Sequence, residues 1–427
     1  LHRFQGSCRP AGLAAKKGKS MPTRRWSAAL VAAGLVTGTL AACSSPGDSN
    51  NSSSGSSSSN SSAPFKIGVV IPISGPLATT STVYQAVAKN LGTSKIPGTE
   101  TIDGRKVQVI IRDDLGTGPG TSSAVRQLID SDKVDAIIGP LYTTEAETAL
   151  PLIKKANLLE ISLSGCPSCG DGSQYPTTFS VESDRPSQMP PTVQRMKSLG
   201  ISKVAVLEAD DASGTAYSDS FNSEAKSAGI DIVKTVHFAT ASVDLGTQAA
   251  QLKSSGAQAV YLATAVPSDV ANAAKAMKEA QYQPYVFGNA AAAVDIVSQA
   301  AGADWSKKWA ASGYGKNATR PDPAPQATEF AKTMESIVGK AGLAAPIDLS
   351  GGVLDAFYLI KRSVEGTHST AGDKDAAWLE QNGYPDGIKA NYSFTDTQHN
   401  GMKADQQALV QPGTNVDGIP LRAGETG

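Results

Sequence analysis

The chain is sparing with the residues that most often do chemistry. Its 427 residues include only four histidines and four cysteines. None of His2, His237, His368 and His399 falls in an HExxH or similar ligand spacing, so no metal site is expected. No GxSxG elbow occurs, which leaves an α/β-hydrolase nucleophile unsupported. There is no P-loop. Gly116-Thr117-Gly118-Pro119-Gly120 follows a strand and precedes a helix, but its spacing is not GxGxxG. Pro119 also lacks the N–H that a pyrophosphate would use, so the run reads as a turn. No catalysis and no cofactor are expected. Basic residues are short in the body: residues 1–42 hold seven of the 38 and no acid, which leaves 31 against 39 acidic residues. That excess of acid excludes a nucleic-acid partner, which needs clustered Lys and Arg. After Phe65 no apolar run is long enough to cross a bilayer. A hydrophobic content of 40% with 18% charge is that of a globular chain, and the length suits two α/β domains.

The first sixty residues are of another kind. From Met21 the chain reads MPTRRWSAALVAAGLVTGTLAAC. Arg24 and Arg25 form a positive n-region, and Trp26 to Leu40 is an uncharged h-region of signal-peptide length. Leu40-Ala41-Ala42-Cys43 resembles the bacterial lipobox, which implies cleavage before Cys43 and lipid on its sulfur. Residues 1–20 are expected to be an over-extended reading frame, with Met21 as the start. Arg24-Arg25 leaves a twin-arginine route open beside the general one. Ser44 to Ser62 is almost entirely Ser, Asn and Gly, which cannot bury a core and behaves as a tether of roughly 25 Å reach. Two acyl chains on Cys43 would then hold the body at the outer face of the cell membrane.

From Phe65 short β-branched runs alternate with amphipathic segments. Lys66–Ile71, Val107–Arg112, Ala136–Gly139 and Leu158–Ser162 read as strands, with helices at Thr82–Leu91, Ser122–Asp130 and Thr144–Ala156. After Pro190 the rhythm restarts with strands at Lys203–Leu207, Asp231–His237, Ala259–Ala263 and Tyr285–Phe287. Their intervening helices are Tyr217–Ala228, Thr247–Ser254 and Val270–Ala280. Two such series predict two α/β lobes with parallel sheets. The tail predicts helices at Ser350–Val364 and Lys374–Gln381, then strands near Ala390–Phe394 and Gln407–Val410. Ligands of open α/β sheets lie beyond the carboxyl ends of the strands, so the following loops matter most.

Those loops are polar and uncharged. Pro72-Ile73-Ser74-Gly75-Pro76, Gly139-Pro140-Leu141-Tyr142-Thr143-Thr144 and Ser162-Leu163-Ser164-Gly165 fall on one edge of one sheet. Hydroxyls beside helix N-termini make a cradle for a carboxylate or carbonyl head. Thr143 and Thr144 can equally cap the next helix. Cys166-Pro167-Ser168-Cys169 is an isolated pair in an exported chain. A small-loop disulfide is its simplest reading; free thiols and a redox pair stay open.

KIGVVIPISGP at 66–76, IDGRKVQVIIRDDLGTGP at 102–119, VDAIIGPLYTTEA at 134–146, LLEISLSG at 158–165 and DLGTQAAQLKSSGAQAVYLA at 244–263 resemble, in order and spacing, the leucine/isoleucine/valine-binding family of ABC importers. The resemblance covers about 65–410. It implies a type I periplasmic-binding fold: two Rossmann-like lobes with parallel-sheet cores joined by three crossovers. The lobes would be 65–182 plus 312–390, and 183–311 plus 391–427, closing by hinge motion on a small molecule. A monomer that delivers its ligand to permease subunits is implied. The family's carboxylate hydroxyl falls on Thr143 or Thr144, and its next loop on Ser164 and Gly165. Ser74, Tyr142, Ser213, Ala265 and Asn289 complete the candidate contacts. The acid that grips an ammonium in the family is missing after Phe287, where no acid comes before Asp295. Aromatic walls are likewise not found at 78–80, 211–214 or 264–267. An α-amino acid is therefore one candidate, beside a carboxylate, amide or polyol without a buried cation. Asp210, Asp211 or Asp269 remain as far-lobe acids. A ligand sensor of the same fold and an exported thiol oxidoreductase are the two other readings.

Overall fold

The computed structural model describes residues 63–75 and 77–424. The signal segment, Cys43 and the Ser-rich tether lie outside the described residues. Among the described residues, twelve strands form two six-stranded sheets. The first holds β1 (Phe65–Ile71), β2 (Thr101–Ile102), β3 (Arg105–Asp113), β4 (Ala136–Ile138), β5 (Leu159–Ser162) and β6 (Thr178–Ser180), in the order β2-β3-β1-β4-β5-β6. The second holds β7 (Lys203–Ala209), β8 (Asp231–Phe238), β9 (Ala259–Ala263), β10 (Tyr285–Gly288), β11 (Trp309–Gly315) and β12 (Gln407–Val410), in the order β12-β11-β10-β9-β7-β8. Pairing is parallel except at β2·β3 and β11·β12, each on a sheet edge.

Parallel strands read as continuous apolar runs because helices cover both faces. In β1, Phe65, Ile67, Val69 and Ile71 face one helical layer and Val70 the other. Gly68 shares Val70's face, where a Cβ would stand 2.8 Å from Leu128 Cδ1. The first layer is α1 (Thr82–Ala88) with three later helices; the opposite layer is α2 (Gly118–Arg126) and α3 (Thr143–Ala156). The second sheet repeats the plan. Val204, Val206 and Tyr261 face α4 (Met189–Ser198) and α5 (Ala212–Ser227). Ala205, Leu207 and Leu262 face α6 (Gly246–Ser254), α7 (Pro267–Glu279), α8 (Asp295–Ala301) and α9 (Ala303–Ser306). Each fully buried large side chain contributes roughly 1.5–3 kcal/mol.

The chain passes three times between the lobes. After β6 it crosses at 181–188 to reach α4 in the second lobe. After β11 it returns at 316–324 to supply α10 (Pro325–Val338), α11 (Ile347–Thr367) and α12 (Gly372–Asn382) to the first. It crosses again at 403–406 to enter β12. The family resemblance implies second and third boundaries that lie earlier, at 311/312 and 390/391. The structure keeps β11 through Gly315 in the second sheet and buries Tyr392, Phe394 and Met402 in the first core. The alternating aromatics of Ala390–Phe394 imitate a strand. They make one bridge only, between Tyr384 and Tyr392, while Tyr392 stacks toward Phe394 and Phe394 packs edge-on to Phe179. Among the described residues no helix is long and apolar enough to cross a membrane.

Candidate functional site

The carboxyl ends of both sheets open on a shared cavity of about 300 Å³. Its first-lobe wall comes from α1 and from the loops after β4 and β5. Its second-lobe wall comes from Tyr217 on α5 and from the loops after β9 and β10, and the crossing at 181–188 forms the floor. Most of the lining is apolar, including Val83, Leu141, Leu163, Ala265, Val294 and Leu349. A few polar groups converge on it, which is the usual composition of a small-molecule site.

Arg185 is the central polar group. It is 7% exposed, and its side chain is held on three sides. Nη1 donates to the Tyr217 hydroxyl at 2.7 Å and Nη2 to Thr143 Oγ1 at 3.2 Å. The guanidinium carbon lies 4.1 Å from the Tyr217 ring centroid, a cation–π distance. No carboxylate among the described residues lies within ion-pair reach of it. Arg185 Nε has no partner among the described residues, and neither do the buried Ser164 Oγ and Gln188 Oε1. Buried polar atoms are rarely left so, and these three sit on residues that line one cavity. The Ser164 backbone is fixed: its N–H donates to Ser162 Oγ, and its carbonyl accepts from Ser180 Oγ at 2.9 Å. Only the hydroxyl is left over.

Three tyrosines supply aromatic surface; Tyr142 is expected from sequence, Tyr84 and Tyr217 are not. Tyr142 follows β4, Tyr84 lies on α1 and Tyr217 on α5. Burial, then the charge of Glu182, drives the Tyr84 hydroxyl well above its ordinary value. Burial raises Tyr217 as well, against the pull of Arg185. Both stay neutral donors at any physiological pH.

An acid also lines the cavity. Glu182 belongs to the crossing and pairs directly with Lys389, which is 2% exposed. Lys389 is held above its ordinary value: burial opposes its charge, but Glu182 and then Asp348 outweigh that. The far-lobe acids are occupied elsewhere. Asp211 caps α5 through Gly214 N at 2.8 Å and accepts from Thr240. Asp269 is buried between Ala241 N and Thr264 Oγ1. Asp210 faces His237 on the surface.

The residues expected from sequence divide into three groups. Tyr142, Ser164, Gly165, Ala265 and Asn289 line the cavity. Asn289 does so as a brace: its Nδ2 donates to Thr264 O and its Oδ1 accepts from Ala291 N, each at 2.8 Å. Thr143 stands one layer behind, buried and bonded to Arg185. Ser74, Thr144 and Ser213 are outside the lining. Ser74 Oγ is drawn 2.6 Å from Asp113 Oδ2. Thr144 is exposed on α3, where its carbonyl accepts from Thr148. Ser213 is buried in the first turn of α5. Glu182, Arg185 and Gln188 were missed because a crossing has no periodicity to read. Cys166 and Cys169 are buried, with their sulfurs adjacent and Cα atoms 5.1 Å apart. The Gly116–Gly120 run is a turn and helix start, with Thr117 accepting from Gly120 N at 3.2 Å.

The fold has many solved counterparts. An extracellular ligand-binding receptor from Rhodopseudomonas palustris HaA2 superposes with a TM-score of 0.73 at 17% identity, over 84% of this chain and 99% of that one. The branched-chain amino acid transporter substrate-binding protein of Streptococcus pneumoniae, solved with isoleucine, gives 0.69 at 17%, over 84% and 97%. A solute-binding protein of an ABC transporter from R. palustris, in complex with 4-hydroxybenzoate, gives 0.68 at 17%, over 84% and 95%. These chains share the two-lobed architecture that the sequence resemblance implied. The model of the periplasmic binding protein family matches residues 64–411, and the chain belongs to that family.

Proposed function

We propose that the protein is the solute-binding lipoprotein of an ABC importer, and that its ligand is a small organic carboxylate. The observation that carries the ligand class is Arg185, a buried guanidinium in the cavity with no acid partner among the described residues. A guanidinium with an unmet N–H favours a planar anion, which it can grip at two points. Ser164 Oγ offers a second donor and Gln188 Oε1 an acceptor for a ligand hydroxyl. The protein binds and releases without chemistry. Cys43 carries the lipid and the tether keeps the monomeric body at the outer membrane face. Cys166 and Cys169 form a disulfide that braces the loop after β5. The closed form is handed to permease subunits. In the two liganded relatives above, one ligand is an amino acid and the other an aromatic acid; both carry a carboxylate.

A thermal-shift screen of the mature chain against carboxylates, amides and sugars tests this. A ligand at a hundred times its Kd adds about 2.7 kcal/mol to native stability, enough to raise Tm by several degrees. Carboxylates are expected to give the shift and sugars none. A response confined to uncharged solutes would remove the anion reading.

A further inference from the structure

The geometry points to Lys389 as the residue that decides which carboxylates enter: by holding Glu182 it withholds the cavity's acid from a ligand ammonium, so the site takes carboxylates that lack an α-amino group. This rests on the carboxylate reading above and deepens it.

An α-amino acid presents an anion and a cation on adjacent atoms. A site for it needs a positive group and a free negative group a few ångströms apart, because burying an unpaired ammonium is costly. Glu182 stands in the right region, lining the cavity on the same crossing as Arg185. It is not free. Its Oε1 meets Lys389 Nζ. Lys389 cannot retreat, since its backbone is fixed on both sides. Its N–H donates to Asp355 Oδ2 at 2.9 Å, while its carbonyl packs so closely on Gly315 that a Cβ there would overlap it. The other acids near Lys389 do not relieve Glu182. Asp348 is pushed up to about 8, by burial above all, and the ion pair that Lys389 makes among the described residues is with Glu182 alone. Asp355 is raised to about 6 by burial and is met by Ile388 N, Lys389 N and the Tyr392 hydroxyl. Lys389 therefore remains the partner of Glu182, and Arg185 is left as the cavity's unbalanced charge. Tyr84, Tyr142 and Tyr217 favour an apolar or aromatic remainder over a polar one.

Matched pairs of probes that differ only by the amino group make the test: 3-phenylpropanoate against phenylalanine, and 4-methylpentanoate against leucine. Calorimetry on the mature wild-type chain is expected to show the deaminated member of a pair binding at least tenfold tighter. Lys389→Met should narrow or reverse that preference by tenfold or more, by freeing Glu182. The double variant Glu182→Gln/Lys389→Met, which removes both charges, should keep the wild-type preference. It also serves if the single variant does not fold. Tighter binding of the amino acids to the wild type, abolished by Arg185→Ala, would overturn the role of Lys389 and leave the carboxylate reading standing. Binding of neither member to folded protein overturns both.

Discussion

Arg185 gathers most of the site's consequences at the scale of single residues. Three contacts fix its plane, two hydrogen bonds and one ring face, so little entropy is lost when it meets a ligand. Removing it should cost a carboxylate at least 2 kcal/mol, on the order of a thirtyfold rise in Kd or more. Arg185→Lys keeps the charge but loses the fork and the stacking on Tyr217, and is expected to recover only part of that loss. Thr143→Ala takes away the acceptor for Nη2 and should weaken binding by about 1 kcal/mol. Calorimetry on the three variants gives the order Thr143→Ala, Arg185→Lys, Arg185→Ala; an Arg185→Ala protein that binds like the wild type would exclude the guanidinium from the site. The sequence brings out the loop residues of this constellation and hides its charges. Tyr142, Ser164 and Gly165 follow strands, and strand ends are readable from β-branched runs. Tyr142 stands in a loop, but Tyr84 and Tyr217 lie inside helices, beyond the loops at 78–80 and 211–214. Arg185 and Glu182 lie in Val181-Glu182-Ser183-Asp184-Arg185, which has neither helical nor strand period. One signal was available: a crossing must pass the cleft, so charges in it are ligand candidates by topology alone.

The two lobes build their first-facing helices with one device. In each, a side chain at the N-cap accepts from the backbone three residues on, and that third residue is glycine. Thr117 accepts from Gly120 at the start of α2, and Asp211 from Gly214 at the start of α5. Both glycines press on the end of the preceding strand or its turn. A Cβ would come within 2.0 Å of Asp114 O at Gly120 and within 2.0 Å of Ala209 O at Gly214. Neither needs a left-handed backbone; the close approach is what excludes a side chain. Gly120→Ala and Gly214→Ala should each destabilise by about 1–3 kcal/mol, as overpacking does. The urea midpoint should fall with an unchanged slope. Midpoints equal to wild type would mean that the helices shift without strain. Elements of this kind were largely legible: alternation of β-branched and amphipathic segments places β1, β3–β5, β7–β10 and the helices α1–α3 and α5–α7. Not all elements were legible: the helices α4 and α10 go unpredicted, and two of the missed strands are short or rich in small residues. β6 has three residues, and β11 is Trp-Ala-Ala-Ser-Gly-Tyr-Gly, whose apolar content is mostly alanine. The second crossing, placed at 311/312 by the family resemblance, comes a few residues later because β11 runs through Gly315.

Across the whole molecule, burial has been imposed on acids in both lobes and between them. Burial raises Asp114 to about 7 and Glu160 to about 8 in the first lobe, and Asp269 to about 6 in the second. Asp348 rises to about 8 and Asp355 to about 6 beside the cleft. The ordinary values are 3.8 for Asp and 4.5 for Glu, and the unfolded chain releases its protons there. Between those values and the raised ones the native state binds more protons than the unfolded state. Stability must then fall as pH rises through that window and level off above about 8. Asp113 is shifted the other way: burial opposes its charge, but the bond from Ser74 and three backbone N–H groups hold it below 3.8, outside the window. A large single contribution is expected from Glu160. It is wholly buried in β5, accepts one bond from Thr178 Oγ1 at 2.8 Å, and has its other oxygen without a partner among the described residues. A neutral Glu160 suits that site and a charged one does not. Glu160→Gln fixes the neutral form at every pH. Wild type and variant should therefore melt at similar temperatures at pH 5 and separate steadily toward pH 8, with the variant the more stable by an amount of order 1 kcal/mol per unit of pH between about 5 and 8. Melting curves at intervals of half a pH unit decide it. Parallel curves for the two proteins would show that Glu160 reaches its charged form without cost, and a wild-type Tm that climbs from pH 5 to 8 would remove the whole account of proton-retaining burial.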